Sequence, residues 1–228
     1  MSQSLAAPRT RTIRVAWLGR MAYVPANTKQ QVAARSLAEG GDETLFLLEH
    51  EPVYTLGRNA SPQDILWTRE TRRAAGIEVF ETNRGGKVTY HGPGQLVGYP
   101  ILDLSPDRKD VKRYVTDLEE VLIRALSEFG ITASRSDRKD RVTSVWVGND
   151  KIAAIGVHIA RWITTHGFAL NVANEALKNF SGIVPCGISD GGVTSIEREA
   201  GRAVSVESVA KTVAQTFGEV FGREIIGA

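Results

Sequence analysis

Residues 84–98 read RGGKVTYHGPGQLVG, and five of the chain's 22 glycines crowd into this stretch around His91 and Gln95. Glycine weakens the interior of a helix or strand, so this density marks tight turning, close approach of backbone to a ligand, or both. Two nucleotide-binding readings fail on spacing. GGK at residues 85–87 imitates the end of a Walker A motif, but Glu81 occupies the partner glycine position and Val88 replaces the metal-binding hydroxyl. A dinucleotide fingerprint requires a helix to follow, which Pro93 and Pro100 disfavour. What remains is a loop whose backbone N–H groups approach a polar substrate, with His91 as a hydrogen-bond or proton-transfer group. A plain structural turn with a solvated histidine fits the same residues.

Outward from this stretch, three helices stand out. DVKRYVTDLEEVLIRALSEFG places Val111, Tyr114, Val115, Leu118, Val121, Leu122, Ala125 and Phe129 on one stripe, with Gly130 as its C-terminal glycine. SVESVAKTVAQTFGEVFG repeats the pattern behind a Ser205 cap. SPQDILWTRETRRAAG has the Ser61–Pro62 order of a helix start and ends at Gly76. A weaker helix covers NTKQQVAARSLAEG. TLFLLEHEPVYTLG reads as strand, broken at Pro52, and VTSVWVGNDKIAAIGVHI as a hairpin turning at Gly148–Asp150. Helices and hairpins alternate without a regular βαβ repeat, so the expected fold is α/β in the broad sense: an α+β mixed sheet with flanking helices rather than a doubly wound one.

The chain has 228 residues, 42% hydrophobic and 24% charged, which suits one domain with a substantial core. No Pro/Ser/Gly linker divides it, so the expected organisation is a flexible tail over residues 1–12 and a single domain over 13–228. The formal charge of +2, with basic and acidic residues interleaved, argues against a nucleic-acid partner, although the mild excess suits an acidic protein. The longest apolar run, from Ile152, is interrupted by His158, Arg161 and His166 and reads as strands and a turn, so no membrane partner is expected. The start, MSQSLAAPRTRTIRVAW, is basic and free of acids, as organelle-targeting segments are, but the strand-like IRVAWLG begins about a dozen residues in. The lone Cys186 excludes an internal disulfide and fits a reducing cytoplasm.

Cys186 lies in SGIVPCGISDGGVTS, too broken by Gly and Pro to be core helix or central strand. A single cysteine is commonly an inert small hydrophobe; as a nucleophile it needs exposure and an electropositive neighbour or base. Candidate bases are His91, His158, His166 and Lys151. His158, inside an apolar run, reads as a satisfied structural histidine, and His50, between Glu49 and Glu51, as a strand-end surface residue. Lys151 follows the hairpin turn directly, where a lysine is ordinarily solvated. No histidine pair has metal-ligand spacing beside carboxylates, so no metal site is expected.

HEPVYTLGR (50–58), RGGKVTYHGPGQLVGYPILDL (84–104), WVGNDKIAAIGV (146–157), THGFALNV (165–172) and SGIVPCGI (181–188) together resemble the lipoyl (octanoyl) transferases of protein lipoylation, in order over most of the chain. The resemblance implies the biotin/lipoate protein ligase fold. It also implies transfer of an octanoyl group from octanoyl-acyl carrier protein to a specific lysine of lipoyl domains, those of 2-oxoacid dehydrogenases and the glycine cleavage H protein, without a cofactor. By motif match Cys186 looks like the acyl-thioester nucleophile and Lys151 like its partner; His91, read above as a proton-transfer group, is expected to aid them. Arg84, Gly85, Gly86, Lys87, Val88, Thr89, Tyr90 and His91, with Ala154, Ile155, Gly156, Gly167, Phe168 and Ala169, match the segments that contact the acyl substrate. Ser144 departs from the pattern, which has glycine there.

The chemistry is consistent with that likeness. A thioester donor and an amide product call for a nucleophile that holds the acyl group between two partners, and a cysteine thioester retains the donor's reactivity. Lys151 would pair with the thiolate or act as a base, the two titrating as a coupled pair. An ATP-dependent lipoate or biotin ligase, a noncatalytic carrier-binding or lipoyl-domain-binding protein, and a Cys-His hydrolase are the alternatives.

Overall fold

The computed structural model describes residues 11–135, 143–184 and 192–227. In chain order the elements are β1 (Arg11–Met21), α1 (Tyr23–Ala38), β2 (Thr44–His50), β3 (Val53–Leu56), α2 (Arg69–Ala74), β4 (Glu78–Glu81), β5 (Val88–His91), β6 (Gln95–Ile101), α3 (Val111–Ser127), β7 (Ser134–Arg135), β8 (Ser144–Val147), β9 (Asp150–Ala160), β10 (Ile163–Asn171), α4 (Ile196–Ala200), α5 (Val206–Phe221) and β11 (Arg223–Ile226). Among the described residues they form an eight-stranded sheet, order β11-β1-β2-β6-β10-β9-β8-β7, and a three-stranded sheet, order β4-β3-β5. The β1 strand runs parallel to β11 and β2, and the other pairs of the large sheet are antiparallel. This is the mixed sheet with flanking helices that the sequence predicts.

The apolar stripe of α3 packs with that of α5 over the large sheet, where Leu118, Val121, Leu122, Val209, Val213 and Phe217 are fully buried with Leu45, Leu96 and Leu170. Both helices start where a short polar side chain replaces the missing backbone partner: Asp110 accepts from the Arg113 N–H at 3.0 Å and Ser205 from the Ser208 N–H at 3.2 Å. Gly130 (φ 76°) and Gly222 (φ 61°) supply the left-handed residue that ends each. A smaller core joins α1 to Leu48, Val97, Tyr99 and Ala169, and a third fills the small sheet around Tyr54, Val88 and Tyr90.

Three boundaries differ from expectation. The helix predicted over residues 61–76 is split. After a single 3-10 turn at Pro62–Asp64 the chain extends at Ile65, which bridges Ile183, and Thr68 caps a new helix, α2. The Leu66 N–H donates to the Gly182 carbonyl at 2.8 Å, so a tertiary strand contact overrides local helix propensity. The α1 helix starts at Tyr23, ahead of the predicted run. Arg11 and Thr12, expected in a flexible tail, belong to β1, where Arg11 pairs with Glu43 at 2.6 Å and Asp107 at 2.8 Å. The rest of that expected tail lies outside the described residues.

The opening stretch crosses from one sheet to the other. Pro93 and Gly94 are the central residues of a turn closed by a Gln95 N–H bond to the Gly92 carbonyl at 3.2 Å, and Gly94 has φ 81°. This is the type II arrangement, with proline presetting the first position and glycine accepting positive φ at the second. It carries the chain from β5 of the small sheet into β6 of the large one.

Candidate active site

Between the two sheets lies a cavity of about 440 Å³, lined by loop 84–87, by β5, β9 and β10, and by Ile183 and Val193. Loop 84–87 is held from two sides. Gly57, Arg58 and Asn59 N–H groups donate to the carbonyls of Lys87, Arg84 and Gly86 at 3.0–3.1 Å, and the Gly85 N–H donates to Val157 of β9 at 2.9 Å. Two glycines outside the loop permit this approach. A Cβ on Gly57 would run into the Gly86 carbonyl, and one on Gly156 would meet the Gly85 carbonyl at 3.1 Å. Because the Gly85 N–H is engaged by Val157, it is not open to stabilise an oxyanion.

Arg84 is buried, and its guanidinium is bound mainly to neutral acceptors: the Thr55 carbonyl at 2.6 Å, Thr55 Oγ1 at 2.8 Å and the Gly85 carbonyl at 2.9 Å. Small side chains on β9 and β10, among them Ala153, Ala154, Gly156, Gly167 and Ala169, leave the space beside it open. Gly98 of β6 lies under the Phe168 ring, where a Cβ would collide with it.

A buried polar network runs through the cavity wall. Gln95 Nε2 donates to the Tyr90 carbonyl at 3.2 Å and to Asn171 Oδ1 at 2.9 Å, which leaves Gln95 Oε1 to accept from His91 Nδ1 at 2.8 Å. His91 is therefore the Nδ1–H tautomer, and its Nε2 faces Thr55 Oγ1 at 3.5 Å. Asn171 Nδ2 donates to the Thr194 carbonyl at 3.0 Å. His50, expected on the surface, is fully buried: its Nδ1 donates to the Met21 carbonyl at 3.1 Å and its Nε2 accepts from the Tyr99 hydroxyl at 2.7 Å. The correction has a long-range cause, since both partners come from other strands. His166 Nε2 lies 2.8 Å from Asn83 Oδ1, and its backbone holds φ 57°, a left-handed conformation secured by its N–H bond to Gln30 Oε1 at 2.7 Å.

Burial keeps these rings neutral. Desolvation, against a weaker opposing hydrogen bond to Met21, brings His50 down to about 4. Desolvation and the Arg84 charge bring His166 to about 4. Desolvation first, then the neighbouring His50, holds His91 well below the ordinary histidine value. His158, expected to be a satisfied core histidine, is only partly buried on β9.

Lys151 is the second residue of β9 and is buried rather than solvated, with Nζ 5.0 Å from the centre of the Trp146 ring. Its backbone is clamped by the segment that follows residue 191. The Lys151 N–H donates to the Gly192 carbonyl and the Thr194 N–H to the Lys151 carbonyl, both at 3.0 Å, while Asp150 Oδ1 accepts from the Gly192 N–H at 2.7 Å. The network from His91 through Gln95 and Asn171 thus ends on the residue that holds Lys151.

Of the residues selected from the sequence, Arg84, Gly85, Gly86, Lys87, Val88, Thr89, His91, Lys151, Ala154, Ile155, Gly156, Gly167, Phe168 and Ala169 all line the cavity. Tyr90 does not: it points into the core of the small sheet, where its hydroxyl accepts from Asn179 Nδ2 at 2.9 Å. Alternation along β5 explains this, since His91 and Tyr90 face opposite sides. Cys186 lies outside the described residues. Thr55, Tyr99 and Asn171 line the cavity without having been singled out, as does Gln95, noted in the glycine-rich stretch but given no role there. Ser144, the departure from the family pattern, is buried at its edge.

The lipoyl protein ligase A/B catalytic domain matches this chain over residues 22–218. The chain belongs to that family. An octanoyltransferase of Caldicellulosiruptor bescii is 48% identical over 215 residues, 93% of each chain. This lipoyl protein ligase A/B family member is thus an acyltransferase, and octanoyl transfer is its reaction class. Among solved structures, a lipoate-protein ligase A bound with ATP matches with a TM-score of 0.72 at 17% identity, over 96% of this chain and 90% of that one. The bipartite lipoate protein ligase of Thermoplasma acidophilum, studied with its E2 lipoyl domain, gives a TM-score of 0.69 at 17% identity, over 96% and 86%. At such identities the likeness shows the fold, that of the lipoate and biotin protein ligases. No helix among the described residues is long and apolar enough to cross a membrane.

Proposed function

We propose that this acyltransferase moves an octanoyl group from octanoyl-acyl carrier protein to a lysine of a lipoyl domain, through a thioester on Cys186. The observation that carries the reading is the cavity itself. Small residues line it, Lys151 is buried in its wall, and Ile183 and Val193, which bracket Cys186 in sequence, both line it.

In the first half-reaction the Cys186 thiolate attacks the donor's thioester carbonyl. The carrier's sulfur leaves and takes up a proton, with Lys151 as the nearby proton donor. In the second, the neutral amine of the acceptor lysine attacks the Cys186 thioester, an amide forms, and the cysteine sulfur leaves as thiolate while the amine's extra proton passes to Lys151. Burying the octanoyl chain among Ala154, Gly156 and Ala169 contributes several kcal/mol at about 0.8 per CH2. His91, fixed as the Nδ1–H tautomer and held neutral, acts in this scheme by orienting Gln95 and Asn171, and through them the 192–194 clamp on Lys151.

The acceptor assignment draws support from the Thermoplasma acidophilum ligase, whose structural study includes an E2 lipoyl domain. The 48% identity to an octanoyltransferase favours transfer over ATP-dependent ligation. The test is intact-protein mass spectrometry with octanoyl-acyl carrier protein, without ATP, followed by a lipoyl domain. One octanoyl group gained, absent from Cys186→Ala and then passed to the acceptor lysine, supports both half-reactions. Transfer that requires ATP, or an adduct that survives in Cys186→Ala, sinks the mechanism. Lys151→Ala should cost about 10²-fold or more in turnover, the usual worth of a positioned proton-transfer group.

A further inference from the structure

A second groove of about 450 Å³ lies on the small-sheet side, between α2 and β4. Arg69, Arg72 and Arg73 form one wall; Ile77, Val79 and Phe80 form the other, with Glu78 the sole acid lining it. The arginines fall at i, i+3 and i+4 on α2 and so share one face. Arg72 spends one N–H on the Thr68 carbonyl at 3.4 Å, and Arg69 and Arg73 enter no ion pair among the described residues. Helix stability accounts for only part of this charge. Arg72 and Arg73 sit in the last turn, where the helix dipole favours cations, but Arg69 is the first helical residue, where a cation is unfavourable. The groove adjoins the acyl cavity, since Phe80 stacks at 5.2 Å on Tyr23, which lines that cavity. Leu66, just ahead of α2 in sequence, is 59% exposed and offers an apolar contact point.

Resting on the donor–acceptor reading above, we propose that this groove docks the body of the acyl donor, an acidic carrier protein that brings its acyl thioester on an extended prosthetic arm. Two observations select the donor over the acceptor. Three guanidiniums against one carboxylate suit an acidic surface, with apolar residues beneath for its contact side chains. The groove also shares no lining residue with the cavity, to which Phe80 and Tyr23 connect it. An acceptor lysine reaches only the length of its own side chain and must be presented at the cavity directly, whereas a thioester on a long arm reaches it from a body seated alongside.

The experiment compares the full-length enzyme with Arg69→Glu/Arg73→Glu, measuring octanoyl transfer to a lipoyl domain from two donors, octanoyl-acyl carrier protein and the small thioester octanoyl-pantetheine. The expected result is a KM for the carrier raised tenfold or more. Kinetics with octanoyl-pantetheine and the KM for the lipoyl domain should stay unchanged. The wild-type KM for the carrier should rise with salt as the charges are screened. An unchanged carrier KM overturns the proposal and leaves the transferase reading intact. A raised KM for the lipoyl domain instead assigns the groove to the acceptor and also overturns it. A wild type that uses octanoyl-pantetheine but not the carrier defeats the donor reading and the proposal together. Should the double variant fail to fold, as shown by its melting and its rate with octanoyl-pantetheine, Arg73→Gln provides the same comparison with an expected rise of threefold or more.

Discussion

Where α3 and α5 meet the large sheet, the buried side chains are nearly all apolar; Phe217 and Phe221 stack at 4.2 Å and Leu118, Leu122 and Val213 are fully covered. Around the cavity the buried side chains include His50, His91, His166, Arg84, Gln95, Asn171 and Lys151. In both regions these side chains are buried, but they are held differently. The first gains from area removed from solvent and asks only for shape. The second pairs most of its polar side chains with specific partners such as Thr55, Gln95 and Asn171, so that these groups are fixed in tautomer and direction at the cost of desolvation. The helical region therefore supplies stability that the cavity draws on.

The largest expected difference between the two regions is in acid. Between the unfolded histidine value of about 6.5 and the folded value of about 4, the unfolded chain binds protons at His50 and His166 that the folded chain excludes. Stability rises with pH wherever the unfolded state binds more protons, so it is fully present above about 6.5 and is lost as pH falls toward 4. Each of these two residues contributes a loss of about 3 kcal/mol across that window, and His91, also held neutral, adds in the same direction. Urea denaturation from pH 7 to 4 measures it. His50→Asn should flatten the slope by about one proton, whereas a slope unchanged from wild type would show that His50 is protonated in the folded state.

Next in size is Leu122→Ala on α3, in the apolar region. It should cost about 2–5 kcal/mol in thermal or urea unfolding, the range for a buried leucine truncated to alanine. Turnover per folded molecule should stay near that of wild type. A variant that instead lost turnover without losing stability would mean that the helical layer tunes the cavity.

How legible these regions were follows from the range of their interactions. The stripe of α3, the Ser205 cap and the Gly148 turn are set by neighbours within a few residues, so periodicity and cap chemistry reveal them. His50 was read as exposed because Glu49 and Glu51 flank it. Its burial is decided by Tyr99 and Met21, and Glu49 is drawn off to accept from the Gly94 N–H at 2.7 Å. Gln95 and Asn171 are bonded across 76 positions, which no local pattern records. Lys151 followed a hairpin turn and looked solvated, but the 192–194 segment covers it. The cavity lining was legible chiefly through the family's motifs, and even there Tyr90 was included although strand alternation turns it away.

A smaller effect should follow from Asn171→Leu, which keeps the γ-branched shape and removes the link. The Thr194 carbonyl loses its donor and Gln95 Nε2 loses an acceptor, at a cost of about 1–3 kcal/mol for buried groups left unpaired. Turnover should fall as well, because the 192–194 clamp on Lys151 is loosened, and the pH dependence of turnover should shift with it. Stability loss with an unmoved pH profile would make the network scaffold alone.

The smallest expected effect lies back in the helical region, at the Ser205 cap of α5. Ser205→Ala removes the one side-chain acceptor for the Ser208 N–H, and its usual cost is about 1 kcal/mol. In a chain of this size that lowers the melting temperature by about 2–4 °C. The cap faces solvent, far in the hydrogen-bond network from Lys151, so KM and turnover should both be unchanged at a temperature where the variant is folded. Equal stability would mean that water replaces the serine oxygen at this helix start. A change in turnover would mean instead that α5 transmits its position through Leu45 and Leu96 to the cavity strands, and the apolar and polar regions would then have to be treated as one coupled unit.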